Sequence, residues 1–378
     1  MQPKSLDILS LNFPRMVTFL KKEYQKGEFH ADLLMRYLHS VGNLDNKNLP
    51  PMKKHGSFFQ RISNDHSFQL PEIIACDRVG QSEKVLLQFD DGARVEMVLL
   101  FMKNHITLCL SSQVGCRQGC NFCQTAQMGL KRNLSGGEIL SQIFVARFLL
   151  GYSPQNIVFM GMGEPFDNIK EVIKAIEVIS DQRGPWIPKR RIGLSTCGHL
   201  PGIRELTRII RTSDPNLAWH RLNLTVSLNS AIDEKRALLM PINKGWPLEK
   251  LRHAITDYLH VGKGPVILGY VVIPGFNDSE VDIEALIDFI GDLRCQINLI
   301  PYAPPKIVTL TPPRGLESFT HCPSSEEHLD PIFHRLLKKG FRVYKRDSKG
   351  REQASGCGQL GIDIMQNARC KPSENIQN

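Results

Sequence analysis

Cys116-Arg-Gln-Gly-Cys120-Asn-Phe-Cys123 is the segment of this 378-residue chain whose residue types and spacing point most directly to chemistry. The pattern is C-x3-C-x2-C, just after a predicted strand. Three thiolates this close can share a metal centre. Structural zinc closes with four ligands, and no fourth Cys or His stands here at zinc-finger spacing. A four-iron cluster also normally takes four thiolates. With three, one iron stays open to a further ligand. Two plainer readings stand beside this one: zinc with a distant fourth ligand, and thiols unrelated to one another.

Other groups fall where strands are predicted to end. Gly161-Met162-Gly163-Glu164-Pro165 follows one strand, and small residues there let backbone carbonyls approach a ligand ammonium closely. The same pattern is common in simple turns. Ser195 and Ser227 end later strands; they could bond a ligand or merely cap the next helix. Cys357 lies in a Gly-containing loop, Ala354-Ser-Gly-Cys357-Gly-Gln-Leu. Such a loop could carry a thiol to a barrel mouth, where it would act as a nucleophile. Cys109 lies on a strand seven residues before the cluster. The other five, Cys76, Cys197, Cys295, Cys322 and Cys370, read as core or surface thiols. Glu96, in a predicted hairpin, would on its own read as a solvent-facing strand residue.

These groups need a frame to position them. Hydrophobic residues make up 42% of the chain and charged residues 22%, ordinary globular values that exclude a wholly disordered chain, a collagen-like fibre or a coiled-coil rod. Leu9–Tyr24 and Ala31–Val41 have helical apolar spacing, followed by a polar linker over Gly42–Pro51. Val85–Phe89, Asp90-Asp91-Gly92 and Ala93–Leu100 read as strand, turn, strand. From about residue 105 the rhythm changes. Predicted strands Ile106–Leu110, Asn156–Met160, Arg191–Leu194, Leu222–Ser227, Val266–Val272 and Gln296–Pro301 alternate with helices Gly137–Leu150, Ile169–Asp181, Pro201–Arg211, Pro247–Val261 and Ser279–Leu293. That alternation predicts parallel β-α units with function in the loops at the strand C-termini. A last unit, Glu326–Lys339 then Phe341–Arg346, leads to a Gly-rich loop over Gly350–Gly361. The expected domains are an accessory unit over 1–100, a core over 101–350 and a tail over 351–378. Met1–Phe13 has no secretory apolar region, and no apolar run reaches the roughly 18 residues of a membrane span. The expectation is a cytoplasmic protein with reduced thiols and no membrane partner.

A family resemblance sharpens these readings. The cluster, followed by Thr125-Ala126-Gln127 and Gly129-Leu130-Lys131-Arg132-Asn133-Leu134, resembles the radical S-adenosylmethionine (SAM) superfamily. More narrowly, the chain is similar to the RlmN/Cfr RNA methyltransferases through Gly161–Pro165, Leu194-Ser195-Thr196, Pro241-Ile242-Asn243-Lys244, Ile297–Pro301 and Cys357–Leu360. The resemblance implies an α/β fold, a partial (β/α)6 TIM-like barrel with a small N-terminal helical and hairpin unit and a C-terminal extension. It implies a [4Fe-4S] cluster on Cys116, Cys120 and Cys123, and SAM bound through Gly163, Glu164, Ser195, Ser227, Leu228, Asn229 and Asn298, the last following the final barrel strand. In that family electron transfer from the cluster cleaves SAM to a 5′-deoxyadenosyl radical, two SAM molecules being used per turnover. Cys357 carries the methyl group and bonds the adenine ring, Glu96 accepts the ring proton, and Cys109 resolves the adduct as a transient disulfide with Cys357. One departure is Asn229, where the family usually has His; Asn cannot titrate near neutral pH. The loop Tyr302-Ala-Pro-Pro-Lys departs too.

The net charge of +9 favours a polyanionic partner, nucleic acid before membrane. Arg204, Arg208 and Arg211 share a predicted helix face, and Arg335–Arg351 holds eight basic residues against Asp347 alone. Either could neutralise phosphates or be a solvated surface. The reading is an RNA methyltransferase acting on carbon 2 of an adenosine in large-subunit ribosomal RNA, and on tRNA, with a low-potential electron donor such as flavodoxin or ferredoxin. Its alternatives are carbon 8 or another RNA, and, from a different class, a non-catalytic RNA-binding module with a structural metal.

Overall fold

The computed structural model describes residues 7–42, 55–66, 70–304, 323–325, 327–346 and 359–361. Cys322, Cys357 and Cys370, the polar linker beyond Gly42 and most of the Gly-rich loop lie outside the described residues. Asn12 caps α1 (Phe13–Tyr24) by accepting the Arg15 N–H at 3.1 Å, and Pro14 sits in the first turn. These two residues start the helix later than its apolar spacing at Leu9 predicts. α2 (Glu28–Val41) stops at Gly42 in the left-handed region. α3 (Gly56–Asp65) is an addition to the expected helices; Phe58, Phe59 and Ile62 are buried and stabilise it by packing. The three helices bury Met16, Leu20, Leu34, Leu38, Phe59 and Ile62 in a core of their own.

The sheet begins with three antiparallel strands, β1 (Glu72–Val79), β2 (Ser82–Gln88) and β3 (Arg94–Met102). The β2–β3 hairpin is the one expected, and β1 is an added edge. β3 pairs antiparallel with β4 (His105–Cys109). β5 (Gln113–Gly115) and β6 (Leu130–Asn133) form a separate two-stranded ribbon framing the cysteine loop and the short helix α4 (Gln124–Gln127). From β4 onward the main sheet is parallel, through β7 (Asn156–Phe159), β8 (Ile192–Thr196), β9 (Asn223–Ser227), β10 (Val266–Val272), β11 (Cys295–Pro301) and β12 (Val343–Lys345). All ten strands lie in one sheet ordered β1-β2-β3-β4-β7-β8-β9-β10-β11-β12. The hairpin therefore extends the barrel sheet, and Val85, Leu87, Val95, Met97 and Leu99 share the barrel's core.

The helices between parallel strands are α5 (Gly136–Phe144), α6 (Ile169–Ile179), α7 (Leu200–Thr212), α9 (Leu248–Leu259) and α10 (Glu280–Ile290), with α11 (Asp330–Lys338) before β12. This is a partial (β/α)6 barrel with one extra parallel strand. α5 opens with a Ser135/Glu138 capping box, and its expected last turn is a π-helix over Val145–Leu149. The N-terminal segment is tied on here: Asp7 accepts from the Ser135 hydroxyl at 2.8 Å and the Gly137 N–H at 2.7 Å. No helix among the described residues is long and apolar enough to cross a membrane.

A short helix missed in the sequence, α8 (Asp233–Leu239), brings a fully buried arginine to the strand ends. Arg236 donates to the carbonyls of Leu228 (3.0 Å), Cys197 (2.8 Å) and Ser227 (3.2 Å) and to Asn243 Oδ1 (2.7 Å). It ties the end of β9 to the residue after β8. Replacing it with Met leaves these buried acceptors short of a donor. Arg236→Met should therefore cost about 3 kcal/mol or more, read as a lower urea midpoint at unchanged m-value.

Candidate active site

The C-terminal ends of the parallel strands surround one cavity. Its lining includes Cys116, Cys120 and Cys123 from the loop after β5, Gly163 and Glu164 from the loop after β7, Ser195 on β8, Ser227 on β9, Asn229 just beyond, and Asn298 on β11. The fold thus brings these nine expected residues to one cavity. Asn298 lies within β11, opposite Gly269 and Tyr344, inside the strand expected over Gln296–Pro301 and not after it. The strand starts at Cys295, so alternation turns Ile297 and Leu299 into the core and Asn298 to the cavity. Leu228 differs from expectation: its side chain is fully buried in the barrel core, and its backbone alone joins the polar network, through the Arg236 bond.

Asn229 has φ +57, a conformation Asn adopts more readily than most residues. Its Oδ1 accepts the Val271 N–H at 3.0 Å, and its carbonyl accepts from Asn277 Nδ2 at 2.6 Å. The departure from His at this position leaves a neutral, internally bonded side chain at the cavity wall.

The cysteine loop is held on several sides. Cys116 N–H donates to the Gly129 carbonyl at 3.1 Å, and Asn121 N–H donates to Leu239 at 2.9 Å. Arg117 makes a two-pronged contact with Asp167 at 3.0 and 2.6 Å, Gln118 donates to the same carboxylate at 2.6 Å, and His199 Nε2 lies 3.3 Å away. Burial alone would raise the Asp167 pKa; the bonds from His199, Arg117 and Gln118 outweigh it and hold this carboxyl well below the usual carboxylate range. This clamp was not among the expected features, although Arg117 lies in the cysteine motif and Asp167 two residues beyond Gly161–Pro165. Also unexpected is Cys197, read as a plain thiol, which lines the same cavity. Cys197 N–H donates to Glu164 Oε2 at 2.8 Å, and the Phe166 N–H to Oε1 at 3.0 Å. Burial raises the Glu164 pKa against those bonds.

The donor chemistry fits a cationic metal cluster. Burial, and then the neighbouring thiols, push Cys116 and Cys120 well above the ordinary thiol range. A bound cation reverses that balance and deprotonates a coordinating thiol. Among the described residues no group of three His, Cys, Asp or Glu is placed to hold a single metal ion. A multi-iron cluster makes no such demand, because it spreads its thiolates over separate irons.

Cys109 and Glu96 lie to one side. Cys109 is at the end of β4, opposite Val98 of β3. Glu96 is two residues along, on the same sheet face, so the two are diagonal neighbours at about 7–8 Å between Cα atoms. Both are buried. Met162, between the cavity-lining Gly161 and Gly163, places its Sδ 3.3 Å from the Glu96 backbone nitrogen. Glu96 Oε2 accepts the N–H of Gly361 at 2.9 Å, so the described piece of the tail reaches this carboxylate. Cys357 itself is outside the described residues.

An open parallel barrel with three thiols and a Gly-Glu loop at its strand ends is the architecture of radical SAM enzymes, and residues 110–290 match the radical SAM superfamily model. A radical SAM methyltransferase from Sphaerobacter thermophilus superposes with a TM-score of 0.81 at 28% identity, covering 95% of this chain and 99% of that one. Among sequences, the chain is 39% identical to the probable dual-specificity RNA methyltransferase RlmN 1 of Protochlamydia amoebophila, over 94% of each. It is 32% identical to the dual-specificity RNA methyltransferase RlmN of Syntrophus aciditrophicus, over 95% of this chain and 97% of that protein. The chain belongs to the RlmN family of radical SAM RNA methyltransferases. Membership implies an iron–sulfur cluster and SAM as cofactors. Anaerobically prepared protein should hold about one four-iron cluster. Cys116→Ala, Cys120→Ala and Cys123→Ala should each lose the iron and all SAM cleavage, as measured by iron and sulfide analysis and 5′-deoxyadenosine yield.

Proposed function

We propose that the protein methylates carbon 2 of an adenosine in large-subunit ribosomal RNA, and in tRNA, through an S-methyl intermediate on Cys357. The observation carrying this reading is the junction of two constellations. The strand-end cavity unites three thiols with Gly163 and Glu164, while the neighbouring face of the same sheet holds Glu96 and Cys109 where the tail docks. When bound, the cluster and SAM supply the methyl group and one-electron chemistry, with two SAM per turnover and a low-potential donor.

In this reading Cys116, Cys120 and Cys123 ligate the cluster. Gly163 and Glu164 receive the SAM amino group, and Ser195, Ser227, Asn229 and Asn298 hydrogen-bond the rest of SAM. Adenine ring carbons are poor nucleophiles, so Cys357 takes the methyl first, as a thiolate can, releasing S-adenosylhomocysteine and a proton. With a hydrogen atom taken from its S-methyl group by the one-electron chemistry that SAM would supply when bound, Cys357 bonds the ring carbon through that methyl carbon, and the surplus electron would return to the cluster. Glu96 takes the ring proton. Cys109, losing its proton, attacks the Cys357 sulfur; the bond between that sulfur and the transferred carbon breaks, that carbon takes up a proton to complete the methyl group, and a Cys109–Cys357 disulfide remains for a thiol reductant to reopen. Nucleoside mass spectrometry of RNA from a deletion strain and its complemented partner tests the target. 2-Methyladenosine restored by the gene supports it; 8-methyladenosine, or no change, overturns it.

The RNA surface is less specific. Arg204, Arg208 and Arg211 are exposed on α7, and Arg208 pairs with Glu205. In the C-terminal basic stretch, Arg335 is paired with Glu280 and Glu284, and Lys345 with Asp330. Replacing the three α7 arginines with Gln should weaken RNA binding and reduce the log–log salt slope by about two, because one charge is already paired. SAM cleavage should be spared.

The covalent steps separate by variant. Cys357→Ala should give neither methylated protein nor methylated RNA. Cys109→Ala and Glu96→Ala should accumulate an RNA–protein adduct that survives denaturant and disappears with RNase. Ordinary product from Cys109→Ala without adduct would refute its resolving role.

A further inference from the structure

The tail segment Gln359–Gly361 is buried, and it is held at two adjacent residues from two different elements. Thr125 Oγ1, on α4 two residues after Cys123, donates to the Leu360 carbonyl at 2.8 Å. The Gly361 N–H donates to Glu96 Oε2, on β3, at 2.9 Å. Leu360 packs into the barrel core, and both it and Gln359 are about 95% buried. Gly361 has φ +108, and a Cβ there would lie 2.6 Å from Met128 Sδ. The backbone angle strains any side chain placed at this position, and a Cβ would also displace the Met128 sulfur. Cys357 is two residues before Gln359, a reach of about 7 Å at full extension.

We infer that Thr125 is a positioning residue: its hydroxyl and the Glu96 carboxylate form a two-point clasp on Leu360–Gly361 that sets where the Cys357 thiol meets the SAM methyl group. This rests on the reading of Cys357 as the methyl carrier. The Thr125 hydroxyl satisfies a buried carbonyl that would otherwise lack this donor, so its loss frees the tail to sample other positions. Because Thr125 follows the third cysteine closely, the same side chain fixes the tail relative to the cysteine loop, and Glu96 fixes it relative to the sheet. The two bonds grip opposite edges of one peptide group, the Leu360 carbonyl and the Gly361 N–H, and together fix its orientation as neither does alone.

The test uses full-length protein loaded with cluster and SAM. It follows labelled methyl onto Cys357 by peptide mass spectrometry. Thr125→Val, which keeps the shape and removes the donor, should slow labelling about tenfold or more. Iron per chain and the KM for SAM should stay at wild-type values. Thr125→Ser should restore the rate, which a purely steric role would not predict. Gly361→Ala, outside the cysteine loop, should slow labelling in the same way. Wild-type labelling in Thr125→Val overturns the clasp, as does a Thr125→Ser protein as slow as Thr125→Val. Iron loss in Thr125→Val alongside a wild-type rate in Gly361→Ala also overturns it, by reducing Thr125 to loop support. If the wild-type protein takes no label at Cys357, the S-methyl reading fails, and the clasp with it.

Discussion

Cys116 and Cys120 are buried beside Cys123 in one cavity, and burial penalises the charged form of each thiol. The Gln118 N–H and the Arg236 guanidinium offset that penalty only in part; an added cation would reverse it, and the rest of the site can be read as keeping the thiols together for one. The loop that carries them is bracketed by the β5–β6 ribbon and bonded to the residues of α8. Asp167 clamps it through Arg117 and Gln118. That carboxylate is itself buried, so its partners must be charge-assisted donors to outweigh its desolvation. Arg236 does comparable work behind the cavity, holding the carbonyls at the ends of two parallel strands. Rigidity is thus supplied by side chains around the loop, not by the loop's own regular structure.

The second constraint is the reversal of strand direction at β4. β4 pairs antiparallel with β3 on one side and parallel with β7 on the other. Its C-terminal end therefore faces the barrel mouth, with the hairpin running past it in the opposite sense. Glu96 and Cys109 share a face because of that pairing. A one-residue slip of β3 against β4 would turn Glu96 to the opposite face. The hairpin's apolar face, continuous with the barrel core through Val95, Met97 and Leu99, fixes the register.

Much of this was legible in the residues. The strand and helix alternation from residue 105 onward follows directly from buried parallel strands with amphipathic helices between them, and six of the expected strands lie within a residue or two of their places. The cysteine run and the strand-end polar groups were legible because their chemistry is local. What could not be read depends on tertiary packing. α3 and α8 are short, and their stability comes from partners distant in sequence. Cys197 looked like any buried thiol until the fold set it beside Glu164. Asp167 and Arg117 are fifty residues apart, and no periodicity links them. Leu228 was carried into the site by its neighbours in the motif, whereas strand alternation sends its side chain inward.

The two constellations approach each other at the loop after β7, and glycine makes that approach possible. A Cβ on Gly161 would lie 2.6 Å from the Leu110 backbone, and one on Gly163, at φ +99, would lie 2.5 Å from Gln113 Cβ. Both glycines let the loop after β7 press its backbone against the segment leaving β4. The contact is bonded throughout: Met162 N–H donates to Ser111 Oγ at 2.8 Å, and its carbonyl accepts from Ser112 N–H at 2.9 Å. Met162, between the glycines, is fully buried and turns its sulfur to the Glu96 backbone. The flanking Gly161 and Gly163 line the cavity. With bulkier residues at these positions the two backbones would stand apart, and the carboxylate on β3 would move away from the cavity. The Gly-Met-Gly-Glu motif thus has two jobs set by one packing requirement: it presents a wall to the cavity, and it keeps the sheet face bearing Glu96 and Cys109 near that wall.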